Sequence, residues 1–238
     1  MNTILKFLLA VLISQCPLHY RTPPSQLLGL WEMTKVSMGD QEMTPVSKWT
    51  RINKDGTFQS GNGWLQSSHG TWNWDADKSY FTPSDLLGIK DEFGGFTVSI
   101  SGDNMTWKRD EDGVVVTVEL VRIDNLPMSP ADYLEGLWDL VEITENQKSI
   151  TDEFDPNDQH RLFIRWDRLY NNYSPEGSKS TGYWHINGHR PEITLLPHTD
   201  GKQPESWSIE VDEKLLIMSG ISDSNHAIQR KYSRRNSF

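Results

Sequence analysis

Apolar residues along this chain recur at every second position, not at every third or fourth. Val114, Val116, Val118 and Leu120 alternate with Val115, Thr117, Glu119 and Val121. Phe96, Val98 and Ile100 alternate with Thr97, Ser99 and Ser101, and Leu162, Ile164 and Trp166 alternate with Phe163, Arg165 and Asp167. A period of two sends successive side chains to opposite faces of an extended strand, so each run predicts a strand with one buried face. Asp55-Gly56, Gly61-Asn62-Gly63, Gly102-Asp103, Asp112-Gly113, Asn187-Gly188 and Asp200-Gly201 punctuate the runs as tight turns. No long 3.6-residue period occurs, and only residues 84–89 and 129–134 have room for a single helical turn. The expected fold class is all-β, with short antiparallel strands.

The pattern repeats. Leu28-Gly29-Leu30-Trp31-Glu32-Met33 recurs as Glu135-Gly136-Leu137-Trp138-Asp139-Leu140, and Gly70-Thr71-Trp72-Asn73-Trp74 as Gly182-Tyr183-Trp184-His185-Ile186. Phe96-Thr97-Val98-Ser99-Ile100 matches Trp207-Ser208-Ile209-Glu210-Val211 in the same order. Two prolines and no periodicity mark residues 125–130 as a linker. The expected organisation is a first domain at 25–124 and a second at 131–238. An antiparallel sheet with one apolar face must close that face, and alternation permits either a β-sandwich or a barrel.

The head of each repeat favours the barrel. Gly29-Leu30-Trp31 and Gly136-Leu137-Trp138 resemble the first-strand motif of lipocalins. Lys54-Asp55-Gly56-Thr57-Phe58, Gly70-Thr71-Trp72 and Met105-Thr106-Trp107-Lys108-Arg109 are similar to the short lipocalin-like domains of bacterial secreted proteins. The resemblance covers about 100 residues of the first repeat, and the second more loosely. It implies two small antiparallel lipocalin-like β-barrels in tandem, with Gly29 and Gly136 bending the chain and Trp31 and Trp138 plugging the closed ends. It also implies an arginine after the last strand stacked on that tryptophan. Arg122 takes this role in the first repeat, and Arg230, Arg234 or Arg235 in the second. Both repeats are shorter than a typical lipocalin and lack its long helix.

Composition narrows the function. The chain of 238 residues carries a net charge of −10, which opposes binding to a phosphate backbone, so no nucleic-acid partner is expected. Lys6 followed by the apolar run from Phe7 to Ile13 reads as a signal segment within 1–22, too short to span a bilayer. Export is expected, to a secreted, periplasmic or outer-membrane address. Cys16, the single cysteine, follows that run and is a candidate lipidation site resembling those of bacterial lipoproteins; a plain secretion signal is the alternative. Contact with a membrane is expected only through such an anchor.

Candidate chemistry sits on the inward strand faces. Trp72, Trp74, Phe96, Trp107, Trp166 and Trp184 are the candidate ligand-binding residues, an aromatic lining suited to a flat or aliphatic molecule. No inward position reads as charged. Asn187-Gly188 reads as a two-residue turn that sends His185 and His189 to opposite faces, and His160 and His198 have no companions in sequence. No metal, cofactor or catalytic residue is therefore assigned. Asp110-Glu111-Asp112 and Asp152-Glu153-Phe154-Asp155 read as solvated loops, and Arg230–Arg235 as an exposed strand face with a frayed end. The expected function is non-catalytic binding of a small hydrophobic or amphipathic molecule in a barrel. Three alternatives stand beside it: a carbohydrate-binding module using exposed Trp49, Trp64 or Trp207, an enzyme acting on isoprenoids, and an interaction module with filled barrels.

Overall fold

The computed structural model describes residues 23–88 and 91–236. Residues 1–22, expected to be a signal segment and containing Cys16, lie outside the described residues, as does Ile89. The chain forms two closed, eight-stranded antiparallel barrels in tandem. The first comprises β1 (Gly29–Met38), β2 (Gln41–Glu42), β3 (Lys48–Ile52), β4 (Thr57–Asn62), β5 (Leu65–Asp75), β6 (Tyr80–Asp85), β7 (Phe96–Ser101), β8 (Asn104–Glu111) and β9 (Val114–Ile123). The second comprises β10 (Gly136–Glu145), β11 (Lys148–Ser149), β12 (Arg161–Ile164), β13 (Leu169–Tyr173), β14 (Lys179–Ile186), β15 (Glu192–Pro197), β16 (Glu205–Val211), β17 (Leu215–Gly220) and β18 (Ile228–Arg234). In each, neighbouring strands pair in sequence order and the first pairs with the last, β1 with β9 and β10 with β18. Closure removes the open edges an antiparallel sheet would otherwise expose. The two-residue strands β2 and β11 each extend one hairpin and stand outside the closed ring.

The two barrels agree in detail. Ile52 pairs with Gly29 and Phe58, while Ile164 pairs with Gly136 and Tyr170. The register of the closing pair shifts at Met33/Lys35 in one barrel and at Leu140/Glu142 in the other. Both shifts fall between residues 107 positions apart, the same offset that separates the Gly-x-Trp motifs.

Among the described residues, helix is confined to single turns. Ser25–Leu27 precedes β1, α1 (Pro130–Leu134) precedes β10, and α2 (Thr151–Phe154) follows β11. Ser129 caps α1 through a reciprocal pair: its hydroxyl accepts from the Asp132 amide, and the Asp132 carboxylate accepts from the Ser129 amide. Of the other expected turn, 84–89, the described residues 84–88 are not helical: Ser84 and Asp85 finish β6 and a turn follows. Asp132 also accepts from the Trp64 amide, and the Ser47 hydroxyl donates to the Met128 carbonyl. The Val46 amide donates to Gly188 at 2.9 Å, so loops of barrel one meet the linker and barrel two directly.

Each closed end is built from the same four parts. Trp31 and Trp138 are fully buried, and their indole N–H groups donate to Leu27 and Leu134 carbonyls at 3.0 and 2.8 Å. Arg122 stacks over Trp31 at 4.1 Å and Arg234 over Trp138 at 4.2 Å. The guanidinium of Arg122 donates to the Leu28 and Gln26 carbonyls; that of Arg234 donates to Glu135 and Tyr133. Gly29 and Gly136 hold φ at +127° and +145°, and a Cβ on either would collide with the arginine at 2.5 or 2.3 Å. Glycine is therefore required both for the backbone angle and for the close approach of the guanidinium. Among the three arginines left open by sequence, Arg234 is the stacking one. Arg235 instead pairs with Asp139 at 2.7 Å, and Arg230 turns into the barrel.

Candidate functional site

Strand alternation on the closed floor leaves an open-mouthed cavity in each barrel. The cavity of barrel one measures about 610 Å³ and is walled by Phe58, Phe81, Phe96 and Trp107, with Met33, Lys48, Thr50, Ser60 and Ser68 between them. Phe81 and Phe96 both lie 5.2 Å from Trp107, so the aromatic wall is continuous. At the mouth Arg109 stacks on Phe96 at 4.4 Å and pairs with Asp91 and Glu111. Burial disfavours its charge, but hydrogen bonds and attraction from the two carboxylates prevail and raise its pKa. That cluster ties the segment around residue 91 to the rim.

The cavity of barrel two is similar in size, about 550 Å³, but differs in chemistry. Along β3–β6 of the first barrel, adding 112 to a residue number converts one wall into the other. Lys48 becomes His160, Phe58 becomes Tyr170, Ser60 becomes Asn172, Ser68 becomes Ser180 and Pro83 becomes Leu195, and all ten face a cavity. By the same step Val118 and Leu120, buried core in barrel one, become Arg230 and Tyr232. His160 is only 2% exposed; burial and then the charge of Arg230 push its pKa down to about 4. Burial and the nearby Glu205 push Tyr170 up to about 12. Arg230 stacks over Trp207 at 4.9 Å.

Of the six residues expected to bind ligand, Phe96 and Trp107 line the cavity of barrel one. Trp72 and Trp74 do face inward, but lower down, half-buried against the core. The Trp72 indole is committed to the floor, donating to Asn53 and Thr57 carbonyls. Trp184 repeats this, 2% exposed, with its N–H on Arg165 and Arg168 stacked at 4.2 Å. Trp166 does not face the barrel. β12 stops at Ile164, the Arg165–Asp167 ion pair closes a turn, and Trp166 stands out of it 78% exposed. Trp166→Ala is accordingly expected to change stability by less than about 0.5 kcal/mol in a denaturant titration. A larger loss would place the indole against the fold.

Other expectations are corrected as well. Trp49 and Trp207 are buried, not available to a sugar face, whereas Trp64 is exposed. Asn187-Gly188 is not a two-residue turn: Ile186 pairs with Ile193 and His185 with Thr194, and the loop between β14 and β15 spans 187–191. Asp155 is buried, accepting from the amides of Gln159 and His160, and is no solvated loop residue. Asp110 and Glu111 belong to β8. Inward positions are not free of charge: Arg230 and Glu205 both line the second cavity. Sequence reasoning missed His160, Tyr170, Asn172, Glu205 and Arg230. The signal was present, since Arg230 stands between Ile228 and Tyr232 with the parity of the buried face. Among the described residues no cluster of three His, Cys, Asp or Glu side chains is placed to hold a metal ion.

No family model and no curated protein matches the chain. Among solved structures, it is similar to a DUF4847 family protein from Bacteroides vulgatus ATCC 8482 over 44% of this chain and 96% of that one, at 8% identity and a TM-score of 0.32. A second is BBS1N in complex with ARL6DN, soaked with lead, over 89% of this chain and 99% of that one, at 9% identity and a TM-score of 0.14. Likenesses this distant carry no argument about function.

Proposed function

We propose that the protein is an exported, non-catalytic binding protein that holds a small hydrophobic or amphipathic molecule in the cavity of barrel one. The observation that carries this reading is the aromatic cavity of about 610 Å³, open at the mouth and sealed below by Trp31 and Arg122. Small-molecule pockets run from about 300 to 1,000 Å³ and are mostly apolar with a few polar groups, which matches Phe58, Phe81, Phe96 and Trp107 beside Thr50 and Ser60. An interaction module with filled barrels would have no use for this space. Lys48, whose pKa burial lowers, and Ser68 at the same wall give an amphipathic ligand a polar end.

The test is titration of the purified full chain with N-phenyl-1-naphthylamine, a neutral apolar fluorophore. Saturable binding of about one probe per chain in barrel one is expected. Met33→Trp and Ser68→Trp, each filling that cavity from a different strand, are expected to weaken it by about tenfold or more with unchanged far-UV circular dichroism. Absence of saturable binding, or binding indifferent to both folded variants, would overturn the proposal.

A further inference from the structure

We infer that the cavity of barrel two is a separate site for a small organic anion, whose carboxylate or phosphoryl group lies against Arg230. The inference deepens the proposal that these barrels hold ligands. The chain supplies its own control, because barrel one closes the same ring with Val118 and Leu120 where barrel two has Arg230 and Tyr232. The fold therefore does not need the charge. An arginine inside a barrel is costly unless something answers it.

In the protein it is answered by the neutral Tyr232 hydroxyl, with which it shares a hydrogen bond, and not by a carboxylate in contact. Arg230 lines the cavity, its guanidinium fixed over Trp207 at 4.9 Å and near Phe154 at 5.9 Å. Among the described residues, no carboxylate comes within ion-pairing distance of it. Five buried polar side-chain atoms there lack a hydrogen-bond partner, and four belong to this barrel: His160 Nδ1, Asn172 Oδ1, Trp207 Nε1 and Arg230 Nε. The neighbouring His160 shares its Nε2 with the Tyr232 hydroxyl at 3.4 Å and is neutral at pH 7, so it neither offsets nor adds to the arginine's charge. A rigid planar donor that no carboxylate contacts, in a half-apolar recess, matches the fork geometry of carboxylate or phosphoryl oxygens.

The rest of the wall sets the other end of the ligand. Glu205 lies two residues from Trp207 on the same inward face of β16, beside Tyr170. Glu153, Glu176 and Lys202 also border the cavity. These carboxylates repel a second negative charge, which restricts the site to a compact anion with a neutral or amino-bearing remainder.

Calorimetric titration of the full chain with octanoate, octyl phosphate and octanol tests this, in the Met33→Trp background so that barrel one is blocked. Octanoate or octyl phosphate is expected to bind saturably, about tenfold or more tighter than octanol. Arg230→Met is expected to abolish that preference, Arg230→Lys to restore part of it, and Glu205→Gln to strengthen anion binding. Equal affinity for octanoate, octyl phosphate and octanol, or an anion preference that survives Arg230→Met in a folded variant, would overturn the inference. If neither anion binds while N-phenyl-1-naphthylamine still binds the wild-type chain, the inference fails alone. If that probe fails too, the proposed function falls with it.

Discussion

Trp138→Ala is expected to lower the stability of barrel two by about 3–5 kcal/mol. Trp138 is fully buried, and its removal leaves a cavity that the surrounding Leu134, Leu162 and Ile164 cannot collapse to fill, because Leu162 and Ile164 are fixed in the closed ring and Leu134 in the capped turn of α1. It also strips Arg234 of its stacking surface, a contact worth about 0.5–2 kcal/mol. A barrel of this size has about 5–15 kcal/mol in total, so the variant gives up a large share. Urea denaturation followed by far-UV circular dichroism checks the value. Trp31→Ala is expected to do the same to barrel one, since Arg122 and Leu27 repeat the arrangement. A loss below about 1 kcal/mol in both would mean that the floor is held by something other than these plugs.

Acid is expected to weaken barrel two through His160. The side chain is neutral in the folded state down to about pH 4, whereas the unfolded chain takes up a proton near 6.5. Between those values the unfolded state binds more protons, so stability falls as pH is lowered and is fully present only above about 6.5. At about 1.4 kcal/mol per unit, the loss across the window amounts to about 3 kcal/mol. The readout is the difference in unfolding free energy between the wild type and His160→Gln from pH 7 to 4, which cancels the carboxylates common to both. The wild type is expected to lose about 3 kcal/mol more than the variant. Parallel curves would show that His160 meets solvent or a compensating acid.

Much of this architecture is legible in the residues. Period-two alternation predicts the strands and the repeat predicts two domains, while the resemblance of Gly-x-Trp to the lipocalin motif implies closed barrels and puts Arg122 where the stacking arginine belongs. The second arginine is harder, because Arg230, Arg234 and Arg235 are equivalent in composition, and parity sets aside only Arg235, one residue past β18. Arg230 and Arg234 share the face of Tyr232; only contact geometry sends one onto Trp207 and the other onto Trp138. Trp166 misleads for a different reason. It continues the alternation of Leu162 and Ile164, but the strand has already ended and Arg168 turns the chain with φ of +66°. The polar wall of barrel two escapes a hydrophobicity reading altogether. His160 and Arg230 are conspicuous only when aligned on the offset of 112 with Lys48 and Val118. Trp72 and Trp184 illustrate the converse, since their inward parity is readable but their indole N–H groups are already taken by the carbonyls of Asn53, Thr57 and Arg165.

The most direct test is a crystal structure of the full chain grown with N-phenyl-1-naphthylamine. The expected result is the naphthyl ring inside barrel one, against Phe58 and Trp107, with Trp31 and Arg122 undisturbed beneath it. A probe bound only outside the barrels, or an interior closed by its own side chains, would contradict the proposed binding function.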